Sequence, residues 1–237
     1  YERSVVHKMK FTTRNSYLIT EEKTNLLKSK HVAVFGVGGV GSFVVEALVR
    51  SGIGEISLID FDVVDITNLN RQLMTNVNNV NQLKVELIKE RALAINPELK
   101  IHTYPIYFKE EAQLDFSVFD YIVDAIDHVD SKIELLKISS QKHIPFIMAL
   151  GTARKLDPSQ LKVSKLSKTS VDPLAKKIRL IARKQNLGDC KVVYSMEEAL
   201  PITHLEGQAK PINGSMIFVP ASAGLLIAST LVKDLIA

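Results

Sequence analysis

The sequence predicts an α/β protein with a Rossmann-like, doubly wound sheet that is mainly parallel, has helices on both faces and has an elaborated C-terminal third. Three observations support this fold class. Short apolar runs alternate with helical segments up to residue 150, a glycine-rich turn joins the first run to the first helix, and a length of 237 residues suits one large α/β domain.

The first predicted elements form one strand-helix-strand unit. The apolar run HVAVF, His31 to Phe35, ends in the turn GVGGVG, Gly36 to Gly41, and the segment SFVVEALVRSG follows with helical character. A second apolar run, Ile56 to Ile59, ends at Asp60. Two strands joined through a helix in this way are expected to pair in parallel.

The alternation of helices and strands continues to residue 150. A helix is predicted from about Gln82 to Ile95, because apolar residues recur there at three- and four-residue intervals, and Asn96-Pro97 ends it. The later predicted elements are strands at Lys100 to Tyr104, Tyr121 to Ile126 and Phe146 to Leu150, and a helix from about Ser131 to Gln141.

The pattern changes after Gly151. The segment LKVSKL predicts a polar-faced strand, VDPLAKKIRLIARKQN an amphipathic basic helix, KVVYS and MIFVP two further strands, and residues Ala221 to Ile236 a largely apolar final helix. The sequence shows no internal repeat and no low-complexity linker. We therefore expect one domain over residues 1–237, with a nucleotide-binding part at about 14–150 and a substrate-facing part at about 151–237.

The glycine turn has the spacing of a phosphate-binding loop. Glycines at 36, 38 and 41 allow a tight turn, close approach of a phosphate and close packing of helix on strand. Asp60 lies 19 residues after Gly41, near the spacing of about 20 at which an acid binds a ribose. A glycine-rich turn without a ligand is the alternative, and the flanking strand and helix favour the binding loop.

The segment DFDVVDITNLNRQ, Asp60 to Gln72, contains more polar groups than a dinucleotide's ribose requires. ATP reacting at its α-phosphate needs cations on its oxygens and carboxylates on its Mg²⁺. Taken singly, the suitable residues could equally be turn residues, a surface ion-pair member or an exposed helix position, so the prediction depends on their combination. The suitable cations are Arg71 and Lys84, and the suitable acids are Asp62 and Asp127.

Positive charge is concentrated in one segment of a chain whose formal net charge is only +4. Residues 154–184 contain ten lysines and arginines against two acids. Such a run is consistent with a solvated surface and also with a surface that binds the phosphate backbone of a nucleic acid. The candidates for a surface that faces a nucleic acid are Arg154, Lys155, Lys176, Lys177, Arg179 and Arg183.

Composition excludes several classes of protein. The single cysteine, Cys190, excludes a disulfide framework and a multi-cysteine zinc site, and the six histidines show no ligand spacing along the sequence. We expect a cytoplasmic protein without a signal peptide. The apolar stretch Met216 to Val232 is shorter than the ~20 residues of a membrane span and contains Pro220, so a buried strand and helix are favoured and no membrane partner is expected.

The ordered motifs GVGGVG, DFDVV, NLNRQ, Lys84 and DAID resemble the ThiF-type ATP-dependent adenylating domains, which are related to ubiquitin-activating enzymes. The segments KLDPSQLKVSKLSKTSVDPLAKKIR, VVYSMEE and NGSMIFVPASAGLLIAS are similar to one branch of these proteins, the tRNA threonylcarbamoyladenosine dehydratases. The zinc-binding CxxC pairs of the protein-activating branches are absent from the sequence, and Cys190 matches no nucleophile motif, so we expect it to be structural.

The resemblance implies a role for each matching residue. It makes Asp60 the ribose ligand, Asp127 the Mg²⁺-associated acid and Asp62 a weaker second candidate for the metal. It also implies that Arg14 reaches the ATP phosphates, often from the partner subunit, although the setting RNSYLIT has Thr20 where the family has glycine. The phosphate loop would consist of Gly36, Gly38, Gly39 and Gly41, and the remaining groups on the nucleotide of Asn68, Arg71, Gln72 and Lys84.

The activity implied by the resemblance is ATP-dependent cyclisation of the threonylcarbamoyl group of a tRNA adenosine through an acyl-adenylate. ATP and Mg²⁺ are the implied cofactors, a monovalent cation is a further candidate, and the implied partners are tRNA, a second copy of the chain and a sulfur-relay protein. One alternative is an adenylyltransferase that activates the C-terminal carboxylate of a small ubiquitin-like or sulfur-carrier protein. An alternative of another class is a non-catalytic nucleotide- or NAD-binding module.

Overall fold

A computed structural model describes residues 9–109, 114–203 and 213–237. Its helices are α1 Thr13–Ile19, α2 Glu21–Lys28, α3 Gly41–Ser51, α4 Lys84–Ile95, α5 Val129–Lys142, α6 Pro173–Lys184 and α7 Phe218–Leu235. Its strands are β1 His31–Phe35, β2 Glu55–Ile59, β3 Lys100–Tyr104, β4 Tyr121–Asp124, β5 Phe146–Ala149, β6 Leu161–Lys165 and β7 Lys191–Ser195.

The seven strands form one sheet in the order β3-β2-β1-β4-β5-β7-β6. All neighbouring strands are parallel except β6, which runs antiparallel to β7. The chain moves outward from β1 to β3 and then returns to place β4 on the other side of β1. The strand order therefore reverses between β1 and β4, and such a reversal leaves a crevice at the carboxyl ends of the strands.

Helices cover both faces of the sheet, as predicted. Alternate side chains of β1 enter two different hydrophobic clusters, because successive residues of a strand point to opposite faces. One cluster contains Val34 with side chains of α3, α4 and α7, and the other contains Phe35 with side chains of α5 and α6. The fold is therefore the predicted doubly wound α/β type.

The prediction of a strand at MIFVP is wrong, because Phe218, Val219 and Pro220 form the first turn of α7. Proline is compatible with the first turn of a helix, where a backbone N–H has no intrahelical acceptor. The helix predicted from Gln82 begins instead at Lys84, because Leu83 pairs with Val63 in an isolated antiparallel bridge. The other predicted strands and helices are present, with bounds that differ by a few residues.

The helix α7 packs against α3 at very short distance. A Cβ atom added at Gly224 would lie 2.5 Å from the backbone oxygen of Val40 and 2.8 Å from Cβ of Phe43, so only glycine fits there. By length and composition α7 is also the one helix, among the described residues, that could cross a membrane, and 39% of it is buried. Its side chains at 219, 223, 227 and 231 are fully buried in the fold, which agrees with the predicted core helix.

Candidate active site

A cavity of about 780 Å³ opens at the carboxyl ends of the strands where the strand order reverses. Its volume lies in the range of about 300–1,000 Å³ that is usual for small-molecule sites. Ten of the residues predicted to bind ATP or its metal line it, although they come from separate parts of the sequence. They are Gly36, Gly38, Gly39, Asp60, Asp62, Asn68, Arg71, Gln72, Lys84 and Asp127.

Helix N-termini border the same cavity. Val40, which precedes α3, Lys84 at the start of α4, His128 before α5 and Pro173 at the start of α6 all belong to its wall. The first N–H groups of a helix have no intrahelical partner and carry partial positive charge. The cavity is therefore suited to an anionic ligand such as a phosphate chain.

The glycine turn contains two structural glycines. Gly36 has φ +83°, and a Cβ there would lie 2.7 Å from the backbone oxygen of Ala125. A Cβ at Gly41 would lie 1.8 Å from the backbone oxygen of Gly36, which is impossible without moving the loop. Gly41 begins α3 behind the loop and is not part of the cavity wall.

Gly38 and Gly39 have room for a side chain. The nearest atom to a Cβ at Gly38 would be Nε2 of Gln72 at 3.6 Å, and at Gly39 it would be Cβ of Pro220 at 3.4 Å. Packing of the protein therefore does not require glycine at either position. Both residues face the cavity, where a missing side chain leaves space for a ligand to approach the backbone.

Asp60 is fixed at the end of β2 by two backbone donors. Its Oδ2 accepts a hydrogen bond from the N–H of Val37 at 2.8 Å, and its Oδ1 accepts one from the N–H of Asp62 at 2.9 Å. Burial raises the pKa of Asp60 above its ordinary value, and these two hydrogen bonds oppose that shift. The carboxylate thus connects β2 to the glycine turn and lines the cavity at the predicted ribose position.

The predicted cations are held by neighbouring polar groups. Nζ of Lys84 is 2.6 Å from Oδ2 of Asp62, and Nη1 of Arg71 donates to the backbone oxygen of Thr67 at 2.8 Å and to Oδ1 of Asn70 at 2.9 Å. Both cations keep further donors, since an ammonium has three and a guanidinium five. They can therefore bind phosphate oxygens without losing these contacts.

Asn68 and Gln72 differ in how far the protein satisfies them. Oδ1 of Asn68 accepts a hydrogen bond from the N–H of Asp65 at 3.1 Å, which closes the short helical turn Ile66–Asn68. Oε1 of Gln72 is buried and has no hydrogen-bond partner among the described residues. A buried acceptor without a donor costs about 1–3 kcal/mol, so a ligand N–H or O–H would be favourable beside Gln72.

Of the two predicted metal ligands, Asp127 is the better suited. Its side chain is 93% exposed at the cavity wall, and Nε2 of His128 is 3.6 Å from its Oδ1. One oxygen of Asp62 already binds Lys84. Carboxylate oxygens are the ligands that Mg²⁺ prefers, and Mg²⁺ usually takes one or two of them beside phosphate oxygens.

Two buried ion pairs beside the cavity were not predicted as pairs. Nζ of Lys132 lies 3.0 Å from Oδ1 of Asp124, and both side chains are almost fully buried. Burial raises the pKa of Asp124, whereas the charge of Lys132 lowers it, and Oδ2 of Asp124 has no partner among the described residues. The feature of the sequence that indicated a buried acid was the position of Asp124 directly after the apolar residues Tyr121 to Val123.

The second buried pair corrects one prediction for the tRNA-facing surface. Lys155 is only 4% exposed, its Nζ donates to the backbone oxygens of Gly151 and Ser195, and it lies 3.7 Å from Oδ2 of Asp172. Burial lowers the pKa of Lys155. Lys155 therefore belongs to the inner cavity wall and is not available to a nucleic acid on the outer surface.

The other predicted basic residues lie nearer the surface. Arg154 lines the cavity, and its Nη1 donates to the backbone oxygen of Leu200 at 3.0 Å. Arg179 is half-buried, and its Nη1 donates to both oxygens of Thr169. The remaining three predicted residues, Lys176, Lys177 and Arg183, are exposed on α6.

Arg14 is exposed on α1 and lies outside the cavity of its own chain, among the residues described. The helix α1 contacts the C-terminal end of α3, since Nδ2 of Asn15 donates to the backbone oxygen of Arg50. The glycine turn lies at the N-terminal end of α3, and eleven helical residues separate these ends by about 16 Å.

Cys190 is buried in the hydrophobic cluster that contains α5 and α6, and it is not part of the cavity wall. Burial raises the pKa of its thiol to about 12. The thiolate, the reactive form, is therefore nearly absent at neutral pH.

The ThiF family model matches residues 12–233 of the chain. The tRNA threonylcarbamoyladenosine dehydratase of Bacillus subtilis (strain 168) is 40% identical over 240 aligned positions, which cover 94% of this chain and 94% of that protein. A crystal structure of E. coli tRNA N6-threonylcarbamoyladenosine dehydratase, TcdA, in complex with AMP has 34% identity and a TM-score of 0.86, covering 94% of this chain and 92% of that chain. The complex of TcdA with ATP has 31% identity and a TM-score of 0.82, with coverage of 94% and 92%. Because the ThiF family model matches most of the length of this chain, the chain belongs to the ThiF family.

Proposed function

We propose that this chain catalyses the ATP-dependent dehydration of threonylcarbamoyladenosine in tRNA through an acyl-adenylate, with release of AMP and pyrophosphate. The observation that supports it best is the cavity at the strand-order reversal, which combines a glycine turn, Asp60, Arg71 and Lys84 in one wall. The similarity to TcdA, which covers 94% of this chain in complexes with AMP and ATP, supports the same reaction.

The first step requires the substrate carboxylate to attack the α-phosphate of ATP, forming a P–O bond and releasing pyrophosphate. Negative charge increases on the phosphate oxygens during this attack, and positioned cations lower its cost. Arg71 and Lys84 supply that charge from the cavity wall, while Asp60 at the end of β2 holds the ribose. The N–H groups at the start of α3 add a fixed positive potential.

In the second step a nitrogen of the same substrate attacks the activated carbonyl carbon. A C–N bond forms, AMP leaves and one proton is released, so the net change in the tRNA is loss of one water. No enzyme thiol is needed, because the nucleophile is already held in the substrate molecule, and alignment can supply effective molarities of ~10⁵ M or more. The burial of Cys190 away from the cavity agrees with this route.

Asp127 is the residue that would hold Mg²⁺, with Asp62 as the weaker candidate. When bound, Mg²⁺ neutralises charge on the phosphate oxygens. We propose further that the chain forms one adenylating domain. In it, residues of about 14–150 bind ATP and residues of about 151–237 face the tRNA. A monovalent cation site, a sulfur-relay partner and a cytoplasmic location stay predictions.

The proposal places the tRNA against α6. Lys176, Lys177 and Arg183 are exposed on the side of α6 away from the buried residues Ala175, Ile178 and Ala182, and Lys176 and Arg183 are seven residues apart. The helix N-terminus borders the cavity through Pro173. A tRNA backbone along α6 would thus place a nucleoside close to the ATP site.

A homodimer is also part of the proposal. Arg14 lies near the far end of α3 from the glycine turn, so a second copy is the simplest way to bring this arginine to the ATP phosphates. The helix α1 has an exposed apolar surface suited to such an interface. Tyr17 is 87% exposed and Leu18 is 86% exposed.

The direct test is a reaction with ATP, Mg²⁺ and tRNA that contains threonylcarbamoyladenosine. We expect AMP, pyrophosphate and a tRNA that is lighter by one water in mass spectrometry. A folded protein that forms no AMP with this substrate would refute the proposal. Pyrophosphate exchange that requires a carrier protein instead of tRNA would favour the protein-activating alternative, and tight NAD binding without AMP formation would favour the binding module.

The roles of the cations can be tested with Arg71→Ala and Lys84→Met. We expect each variant to lose AMP formation by about 10²–10³-fold while tRNA affinity stays unchanged, because removal of one charge-stabilising group has this effect on the reaction. The matched control is Lys89→Ala, which changes another lysine of α4 outside the cavity wall. If tRNA binding fell and AMP formation per bound complex did not, the assigned roles would be wrong.

A further inference from the structure

The fold brings together two histidines and a glutamate on three neighbouring strands. His31 and Glu55 are the first residues of β1 and β2, and His102 is the middle residue of β3. His31 on β1 is the register partner of Glu55 on β2, and Ser57 on β2 is the register partner of His102 on β3. Paired residues on adjacent strands, and residues two apart on one strand, point to the same face of a sheet. These four side chains therefore share one face, although their positions along the sequence show no ligand spacing.

The three candidate ligand atoms lie close enough to share one ion. Nδ1 of His31 is 3.6 Å from Oε1 of Glu55, Nε2 of His102 is 2.9 Å from the same oxygen, and all three atoms lie within 4.8 Å of one another. Ligands of a tetrahedral Zn²⁺ at bond lengths of about 2.0–2.2 Å lie roughly 3.3 Å apart. The two distances to Oε1 of Glu55, 2.9 Å and 3.6 Å, lie on either side of that value. Small side-chain rotations would therefore bring the ligand atoms to the spacing of a bound Zn²⁺.

The second nitrogen of His31 has the partner that a metal-binding histidine normally has. Its Nε2 lies 2.9 Å from Oγ of Ser57, a fully buried hydroxyl. In the tautomer in which Nε2 carries the proton and donates to Ser57, Nδ1 has a free lone pair 3.6 Å from Oε1 of Glu55, which is the form that binds a metal. The ring of Phe119 meets the ring of His31 edge-on at 5.0 Å and packs against it.

The other side of the cluster is open to solvent. The side chain of His31 is 11% exposed, that of Glu55 is 29% exposed and that of His102 is 45% exposed, so an ion could enter and retain a water ligand. Lys100 is a competing cation, with its Nζ 3.9 Å from Oε2 of Glu55, but that is the oxygen not shared with the histidines. Asp120 is engaged with Lys30 and with the backbone of His31.

We propose that Nδ1 of His31, Oε1 of Glu55 and Nε2 of His102 form a binding site for one divalent transition-metal ion of the zinc class. Two imidazoles and one carboxylate suit such an ion and not Mg²⁺, which prefers oxygen ligands. His31 and Glu55 lie at the ends of β1 and β2 that are opposite the cavity, and the five residues of each of these two strands span about 16 Å. The effect of the site would therefore be to tie the edge strand β3 to β1 across β2, independently of the proposed reaction.

The test uses the full chain, freed of metal by a chelator and titrated with ZnCl2 at neutral pH without ATP or Mg²⁺. Competition with a chromophoric chelator should show one Zn²⁺ bound per chain. Saturation at about 100 times the dissociation constant should raise the Tm by roughly 5–10 °C. Absence of stoichiometric Zn²⁺ binding would show that the cluster is only a hydrogen-bonded and ionic contact.

Variants assign the binding to these residues. We expect His102→Gln, at an exposed edge position, to lower the Zn²⁺ affinity by more than tenfold and to abolish the rise in Tm, while the metal-free Tm stays that of the wild type. Ser57→Ala keeps all three ligands and should lower the affinity by about 10–100-fold. The control His143→Asn changes an exposed histidine at the end of α5 and should bind Zn²⁺ as the wild type does. Equal Zn²⁺ affinity in His102→Gln and the wild type would overturn the proposal.

Discussion

Gly36 and Gly41 are held by the backbone around them, whereas Gly38 and Gly39 border empty space in the cavity. The sequence motif treats these four glycines alike, because spacing alone does not show which atoms surround each residue. The structure separates those that the fold needs from those that a ligand would need. This difference leads to opposite expectations for the same substitution.

We expect Gly38→Ala to fold with wild-type stability and to bind ATP at least tenfold more weakly, because the added methyl group occupies space in the cavity. Gly36→Ala should lower the free energy of unfolding by about 1–3 kcal/mol, since it combines a positive φ with a close contact to Ala125. Urea unfolding and ATP titration measure the two effects. A stable Gly38→Ala variant with unchanged ATP affinity would show that no phosphate approaches the loop there.

The order of motifs along the chain was enough to indicate which single residues share the cavity wall, as for Asp60, Arg71 and Lys84, and their roles stay predictions. Residues that meet only through the fold were not predictable as pairs. Lys155 and Asp172 are 17 residues apart and belong to different elements, so their ion pair follows from the packing of α6 beside the cavity. The cluster of His31 with His102 has the same origin, because three strands must first pair in register.

At the level of elements, the junction of α1 and α2 explains the unexpected Thr20. This residue has φ 78° and ψ 160°, a conformation that is essentially restricted to glycine. Its side chain compensates in part, since Oγ1 accepts a hydrogen bond from the N–H of Lys23 at 3.4 Å at the start of α2. The glycine expected from the family resemblance therefore corresponds to a real constraint on the backbone.

We expect Thr20→Gly to raise the free energy of unfolding by about 1 kcal/mol. Relief of a strain of about 1–3 kcal/mol should exceed the lost cap and the extra entropy of glycine in the unfolded chain. Urea unfolding measures the change. As a control, Ser29→Gly at the other end of α2, where φ is −88°, should lower stability slightly. A loss of stability in Thr20→Gly would mean that the cap outweighs the strain.

The strand and helix patterns in the sequence predicted most elements correctly, but they did not predict the start of α7. The segment MIFVP contains only apolar residues and proline, so its pattern is that of a buried strand. Phe218, Val219 and Pro220 are instead the first turn of α7, which packs directly on α3 at Gly224. The local sequence pattern does not contain information about a contact between elements that are about 180 residues apart in the chain.

At the scale of the whole molecule, binding of tRNA to α6 should depend strongly on salt. We expect a variant with Lys176→Ala, Lys177→Ala and Arg183→Ala to reduce the slope of log K against log salt concentration by roughly two to three, because each lost phosphate contact removes about 0.7–0.9. Filter binding at several salt concentrations measures it. The control, Lys89→Ala with Lys142→Ala, should leave the slope unchanged, and equal slopes in both variants would place the tRNA elsewhere.

The proposed dimer can be tested by mixing inactive variants. If Arg14 serves the partner's site, co-refolded Arg14→Ala and Lys84→Met chains should recover about a quarter of wild-type AMP formation, since half of the dimers are mixed and each has one intact site. If Arg14 acted within its own chain, or had no role in the reaction, this recovery pattern would not be seen. Native mass spectrometry, which separates the mixed dimer from the two parent dimers by mass, is the control that mixed dimers form.

The packing of α7 on α3 has a consequence for the order in which the protein becomes active during synthesis. The helix α7 follows every other described element in the sequence, yet its Pro220 lines the cavity beside Gly39 of the glycine turn. While the ribosome is still making α7, the glycine turn lacks one of its walls and the apolar face of α3 is uncovered. We therefore expect the nascent chain to complete the cavity only after α7 has been translated and docked.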